Sequence, residues 1–480
     1  MTRKRLSHFV RFSAVGVVGS KFLGLIGFVI LARLLSPHEF GLMAMVAIFT
    51  AFASIFIDSG FQSALVQMEL PEERHYSSVF WFNLLCSISL YLVLYISSAN
   101  IAAFFMQDEL ENILQVAGLV LIINSLTIVN ISILLRKQEF KKIAILDIIP
   151  LTFGLMTVII LVYQGFGVWA LVAQLLVTSS TSVLIAFYTT QWRPKLLFDF
   201  SSLNQLWSFS SYLLGTGIIN FIISNADSVI IGRMLNATTL GLYKYAYQLA
   251  SMPGQLIGTT VERVFFSEYS LYKNDKERIK KIHFRAVRMI AMITFPSMLI
   301  LSSVSEYFVL GVLGVKWIEM APILSFLCFI LVLDSIGGMN NPLFLSQGKT
   351  KELFKVTVIF RLLFVIGMII GIQYGVFGLL WGMMIVRVVN FVPIYKQVGK
   401  TIGFTVKEFI RNIMPIALMS LITYVIMMIA VHYYSFNTTA IISLMILSVF
   451  GGITFIAGLF IFQKEIIHDF LHVMKVRSKS

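Results

Sequence analysis

Long apolar runs follow one another along this chain, separated by short clusters of Gly, Pro, Asn and charged residues. A membrane-crossing helix needs about 20 mostly apolar residues to span a hydrocarbon core of roughly 30 Å. Helices are required there because lipid offers the backbone no hydrogen-bond partner. The pattern predicts about fourteen such helices, over residues 12–32, 40–62, 79–101, 113–135, 143–163, 166–189, 207–231, 240–263, 287–311, 321–345, 356–373, 375–395, 412–432 and 439–463. The expected fold class is an all-α polytopic membrane protein. The connections are short apart from stretches such as 264–286, and no soluble domain is inserted.

Composition closes off the alternatives. Of 480 residues, 58% are hydrophobic and 12% charged, about half the roughly 25% charged content of an average soluble domain. A soluble chain of this length would split into roughly three domains, and its charged residues could not cover three surfaces. A cytosolic enzyme, a secreted protein and a disordered chain are excluded. Cys86 and Cys328 are too few and too distant for a disulfide framework or a zinc site. The first apolar run ends at Leu31-Ala32-Arg33-Leu34 without a small-x-small cleavage pattern, and reads as a retained span.

The net charge of +14 is an orientation signal. With the N-terminus in the cytoplasm, 30 of the 37 Lys and Arg fall in inner segments and three, Arg33, Arg233 and Lys316, in outer ones. The other four, Lys21, Lys244, Arg361 and Arg387, lie within spans. This is the positive-inside pattern, and it places both termini in the cytoplasm and makes nucleic acid an unneeded partner. The basic stretch Arg263 to Arg288 also suits anionic lipid headgroups.

The chain echoes itself at an offset of 200. Ile30-Leu31-Ala32-Arg33-Leu34-Leu35 corresponds to Ile230-Ile231-Gly232-Arg233-Met234-Leu235, and Gly41-Leu42 to Gly241-Leu242. A weaker echo links Gly165-Phe166-Gly167-Val168-Trp169 with Gly375-Val376-Phe377-Gly378 and Trp381. Six spans separate the copies, so the halves run parallel, with a site expected near the mid-plane between them. The expected organisation is a six-helix bundle over 1–190, a cytoplasmic linker and hinge over 191–206, a second bundle over 207–395, and an additional helix pair with a basic tail over 396–480.

Ionisable groups inside a span are functional candidates because lipid does not solvate them. In the eighth span Gly241, Lys244, Gln248, Ser251, Gln255, Gly258 and Glu262 recur at spacings of three and four, which puts them on one helix face. Gly217, Asn220, Ser224 and Asp227 form such a face in the seventh. The first span has Gly16, Ser20, Gly24 and Gly27 with Lys21 beside them, a stripe that close packing also explains, and the second has Asp58 and Gln62. Equivalent places in the two halves let these faces line one central cavity. Arg361 and Arg387 lie in the cytoplasmic halves of their spans, where long side chains also snorkel; Asp334, near mid-span, suits either pairing with an Arg or transport chemistry. The signs are mixed, so charge alone selects neither an anionic nor a cationic substrate. No Gly-x-Ser-x-Gly, His-Glu-x-x-His or phosphate-loop motif is present; no catalytic constellation, cofactor or metal site is expected.

Leu31-Ala32-Arg33-Leu34-Leu35-Ser36-Pro37-His38-Glu39-Phe40-Gly41-Leu42, followed by Phe56-Ile57-Asp58-Ser59-Gly60-Phe61-Gln62, closely resembles the bacterial polysaccharide transporters. Ser78-Val79-Phe80-Trp81-Phe82-Asn83, Gly165 to Val172, Asn225 to Arg233 and Leu240 to Tyr243 support the likeness, which covers the first twelve spans. The resemblance implies the multidrug/oligosaccharidyl-lipid/polysaccharide exporter superfamily. It further implies two six-helix bundles in a V shape, and a lipid-linked oligosaccharide on undecaprenyl diphosphate flipped across the inner membrane by alternating access, with a polymerase and chain-length machinery as partners. On that reading Lys21, Lys244, Arg361 and Arg387 supply cationic charge for the diphosphate, while Asn220, Gln248, Ser251 and Gln255 bind sugar. Asp58, Asp227 and Asp334 are candidates for ion coupling. A cation-coupled multidrug antiporter and a membrane polymerase or ligase are the rival readings.

Overall fold

A computed structural model describes residues 19–20, 23–58, 60–433 and 439–462. Lys21, the opening of the first expected span and the basic C-terminal tail lie outside the described residues. All regular structure among the described residues is helical. Packing divides the chain into two units, Met1–Gly241 and Leu242–Ser480. This partition follows contacts, whereas the one expected at 191–206 follows sequence periodicity.

The first unit holds α1 (Leu23–Leu34), α2 (Pro37–Asp58), α3 (Phe61–Gln67), α4 (Glu73–Phe105), α5 (Glu109–Ala117), α6 (Leu119–Ser125), α7 (Ile128–Arg136), α8 (Phe140–Tyr163), α9 (Val168–Thr190) and α10 (Phe200–Met234), with the opening residues of α11 (Ala237–Leu271). α10 packs on α2, α3 and α4, and α8 lies along α9. Phe61, Leu65, Val79, Phe80, Val129, Ile133, Leu203 and Leu206 make one buried apolar cluster.

Polar contacts fasten the ends of these helices. The Asp199 carboxylate accepts from the backbone N–H groups of Ser201 and Ser202 and from the Ser202 hydroxyl, so it satisfies the orphan donors at the start of α10. At the start of α4, Glu72 and His75 form a reciprocal capping box. His75 Nδ1 accepts the Glu72 N–H at 3.0 Å, so its Nε2 is the donor to Gln205 Oε1 at 3.2 Å. The Arg136 guanidinium donates to the carbonyls of Met68 and Glu69, closing the exposed end of α3 as a cation should. The connection expected as a hinge is tied down on α4. Trp192 Nε1 donates to Glu73 at 2.9 Å, Trp81 Nε1 to the Lys195 carbonyl at 2.7 Å, and the Lys195 and Asp199 N–H groups to Ser77 and Ser78 at 3.2 and 2.8 Å.

The second unit continues through α11 to α12 (Lys276–Ser303), α13 (Ser305–Phe308), α14 (Met320–Gly337), α15 (Asn340–Ser346), α16 (Thr350–Gly371), α17 (Gly375–Ile402), α18 (Val406–Tyr433) and α19 (Ala440–Phe462). Its core gathers Phe265, Tyr269, Ile290, Phe344, Tyr395 and Phe409, with the rings of Tyr395 and Phe409 stacked at 3.9 Å. α18 lies along α12, and Met427 and Leu447 bury against Val304, so the appended pair is packed into this unit.

Ten helices among the described residues are long and apolar enough to cross a membrane, or eleven counting α10, which bends by 42°. Three places separate that number from the expected fourteen. The first span is described only as Leu23–Leu34, α16 and α17 run together over Thr357–Ile402, and α11 is too polar to pass. Outward faces are apolar, as lipid contact requires: Leu85, Leu92 and Ile96 on α4, and Ile385, Val388 and Val392 on α17, are each more than half exposed. The chain is a multi-pass membrane protein.

Candidate transport and ion sites

α11 turns its polarity outward. Tyr243, Ala246 and Ala250 are fully buried, while Gln248 and Gln255 are exposed and Lys244, Ser251 and Glu262 half-buried. A lipid-facing helix does the reverse. The stripe is hydrogen-bonded along its own length, Gln255 Nε2 donating to Ser251 Oγ and Ser251 Oγ to the Gln248 carbonyl, both at 3.0 Å. The Glu262 carboxylate lies against Gly338, at the break between α14 and α15. On α10, Asn220 and Ser224 are exposed, and Asp227 accepts from the Ser228 N–H at 2.7 Å.

Arg387 is not a free cation. It is fully enclosed apart from 7% of its side chain, and its Nε and Nη2 donate to the two carboxylate oxygens of Asp334 at 2.7 and 2.6 Å. The forked geometry matches guanidinium to carboxylate. The guanidinium also stacks 4.4 Å from the centre of the Phe364 ring, a face-on cation–π contact. Asp334 keeps 38% of its side chain exposed, so the pair opens to its surroundings through the carboxylate. Of the two arrangements the sequence left open for Asp334, pairing with an Arg of a neighbouring helix is the one observed, and the positive charge expected to meet a diphosphate is compensated here. Arg361 is half-buried on α16.

Asp58 ends α2, where the span breaks before α3. Gly60 takes φ 77°, ψ 3°, the left-handed region that glycine enters without strain. The Gln62 N–H donates to the Asp58 carboxylate, and Asp58 Oδ1 is buried with no partner. Sequence reasoning singled out Asp58, but cited Asn83 on α4 only within a family-like segment and passed over Ser210 on α10, both fully buried. The only available signal was an Asn in an otherwise apolar run.

The internal repeat has a physical counterpart within the first unit. A Cβ on Gly41 would lie 1.8 Å from the Ala237 carbonyl oxygen, and one on Gly241 2.1 Å from that of Pro37. Positions 37 and 41 thus meet 237 and 241 reciprocally, as two-fold related residues do. The weaker echo falls at the turns of two long hairpins: Gly165, just before α9 in α8–α9, and its counterpart Gly375, at the start of α17 in α16–α17, both take positive φ, 84° and 77°.

Broken apolar helices, a polar accessible stripe and a buried intramembrane ion pair define a membrane transporter. The chain belongs to the family described as "Polysaccharide biosynthesis protein", whose model matches residues 30–322. It is 26% identical over 392 residues to the teichuronic acid biosynthesis protein TuaB of Bacillus subtilis, covering 81% of each chain. To the lipopolysaccharide biosynthesis protein WzxC of Escherichia coli it is 25% identical over 424 residues, 86% of this chain and 84% of that one. Among solved structures, the lipid II flippase MurJ in an inward closed conformation superposes with a TM-score of 0.76 at 18% identity, over 95% of this chain and 99% of that one. An inward-facing multidrug resistance MATE family transporter of the MOP superfamily superposes at 0.59 and 16% identity, over 80% and 95%. At these identities the structural likenesses establish the fold.

Proposed function

We propose that this chain is a flippase that moves an oligosaccharide carried on undecaprenyl diphosphate from the cytoplasmic to the outer leaflet of a bacterial inner membrane, with both termini cytoplasmic. The accessible polar stripe of α11 carries the reading. A solvent-accessible row of Lys, Gln, Ser and Glu has no place against lipid, and it suits a hydrated headgroup whose isoprenoid tail stays in the bilayer. Gln248, Ser251 and Gln255 hydrogen-bond sugar hydroxyls. Lys244 and Arg361 supply charge to the diphosphate; Arg387, held by Asp334, positions helices. Family membership and the relatives' names support the cargo class, and a polymerase at the outer face is the partner that cargo needs.

The test is reconstitution into liposomes with a fluorescent undecaprenyl-diphosphate oligosaccharide, reading exposure of the glycan to an external lectin. Wild type exposes inner-leaflet label, and Lys244→Ala slows this at equal protein content. Label that stays inside at the rate of protein-free liposomes rejects the assignment. Efflux of a cationic dye without glycan movement selects the antiporter.

A further inference from the structure

Three helices of the first unit bring buried, unpartnered oxygens to the break between α2 and α3. Asp58 Oδ1, the side-chain oxygen and nitrogen of Asn83 and the Ser210 hydroxyl all lack a hydrogen-bond partner. Asn83 and Ser210 are 0% exposed. The register between the helices puts them at one level. Cys86 Sγ lies 3.9 Å from the Phe56 carbonyl, and the rings of Phe61 and Phe82 meet at 5.3 Å. Asn83, one turn from Cys86 and adjacent to Phe82, is therefore level with Asp58 and Gly60. From the other side, a Cβ on Gly60 would lie 3.3 Å from the Ser210 Cα. Buried polar groups in native proteins are nearly always satisfied, and a cluster of exceptions calls for a cause. Each one left unpaired carries the full desolvation cost of a buried polar group.

The chemistry of the set selects the ligand. It offers one carboxylate oxygen, one amide oxygen and one hydroxyl, all hard donors, and no thiolate or imidazole. α2 ends here, and a helix C-terminus leaves carbonyls to be satisfied from outside and carries the negative end of the helix dipole. The C-terminal ends of broken membrane helices are where transporters hold monovalent cations. A single carboxylate is too little charge for a divalent ion, which draws on several. We infer that Asp58, Asn83 and Ser210, at the break between α2 and α3, form a sodium ion site. The Asn83 amide oxygen faces the ion, and its N–H group holds a water of the ion's shell. This does not depend on which cargo the protein carries.

The experiment uses the purified full-length protein in detergent. Its unfolding midpoint is followed while NaCl replaces choline chloride at constant ionic strength, with KCl in parallel, and ²²Na⁺ binding is measured directly. The expected result is a saturable rise in the midpoint with sodium, smaller with potassium, and saturable ²²Na⁺ binding. Asn83→Leu and Asp58→Asn abolish both, and Ser210→Ala raises the sodium concentration for half-effect at least several-fold. If Asn83→Leu fails to fold, Asp58→Asn and Ser210→Ala decide. An equal midpoint in all three salts overturns the inference, as does sodium binding unchanged in these variants. So does a midpoint that follows pH through Asp58 but ignores sodium.

Discussion

Gly41 and Gly241 touch where their shared offset places them, and neither has room for a methyl group. The atom met in each case is a backbone carbonyl, which cannot rotate aside as a side chain can. Gly41→Ala and Gly241→Ala are each expected to destabilise the protein at or above the upper end of the about 1–3 kcal/mol usual for overpacking, seen as lower membrane abundance and a lower melting midpoint in detergent. The Arg387–Asp334 pair makes a second residue-scale prediction. Removing one partner of a buried pair costs about 3–5 kcal/mol because the other charge is left uncompensated. Asp334→Asn strands the enclosed Arg387 and is expected to cost more than Arg387→Met, which leaves the partly exposed Asp334 carboxylate, and the Arg387→Met, Asp334→Asn double variant less than the sum of the two. Additive melting shifts would show that the two side chains do not act as a unit.

Among the elements, α10 rests on a cap that responds to pH. Hydrogen bonds from the Ser202 hydroxyl and from the Ser201 and Ser202 N–H groups, with Arg74 nearby, hold the Asp199 carboxyl below the usual carboxylate range. Its stabilising contribution is complete above the ordinary aspartate value and fades as pH falls through the lower folded one. Asp199→Ala should therefore lower the melting midpoint at pH 7, with the difference from wild type shrinking under acid. A difference constant across that range would deny the carboxylate its part. The caps also show what was legible. Periodicity and span length announced the helices, and the three-and-four spacing on α11 announced a face on which Gln248 and Gln255 are exposed. Where the breaks fall was less legible. The α2–α3 interruption hangs on one glycine in a left-handed conformation, and Asn83 and Ser210 acquire meaning only when α4 and α10 pack beside it. A one-dimensional pattern records which face a residue shares, not which neighbour completes it.

For the molecule as a whole, the sequence conveyed membrane character, helical class and repeat more fully than the number of crossings. Apolarity is what identifies a span, and α11, with Lys244, Gln248, Gln255 and Glu262 along one face, fails that test. Orientation is open to direct measurement. In a background with Cys86→Ala and Cys328→Ser, a cysteine at Lys276 should react in intact cells only with a membrane-permeant maleimide. One at Lys316 should also react with an impermeant reagent, and the opposite pattern would invert the topology. The fastening of residues 192–199 to α4 carries a mechanical implication. A slack tether would let α10 tilt while α4 stood still. Two indole N–H anchors and two buried serine hydroxyls instead couple the helices like a connecting rod, so that torque applied to one is delivered to the other. Cutting that rod at Trp81 and Trp192 would let cargo engage without the stroke that carries it across.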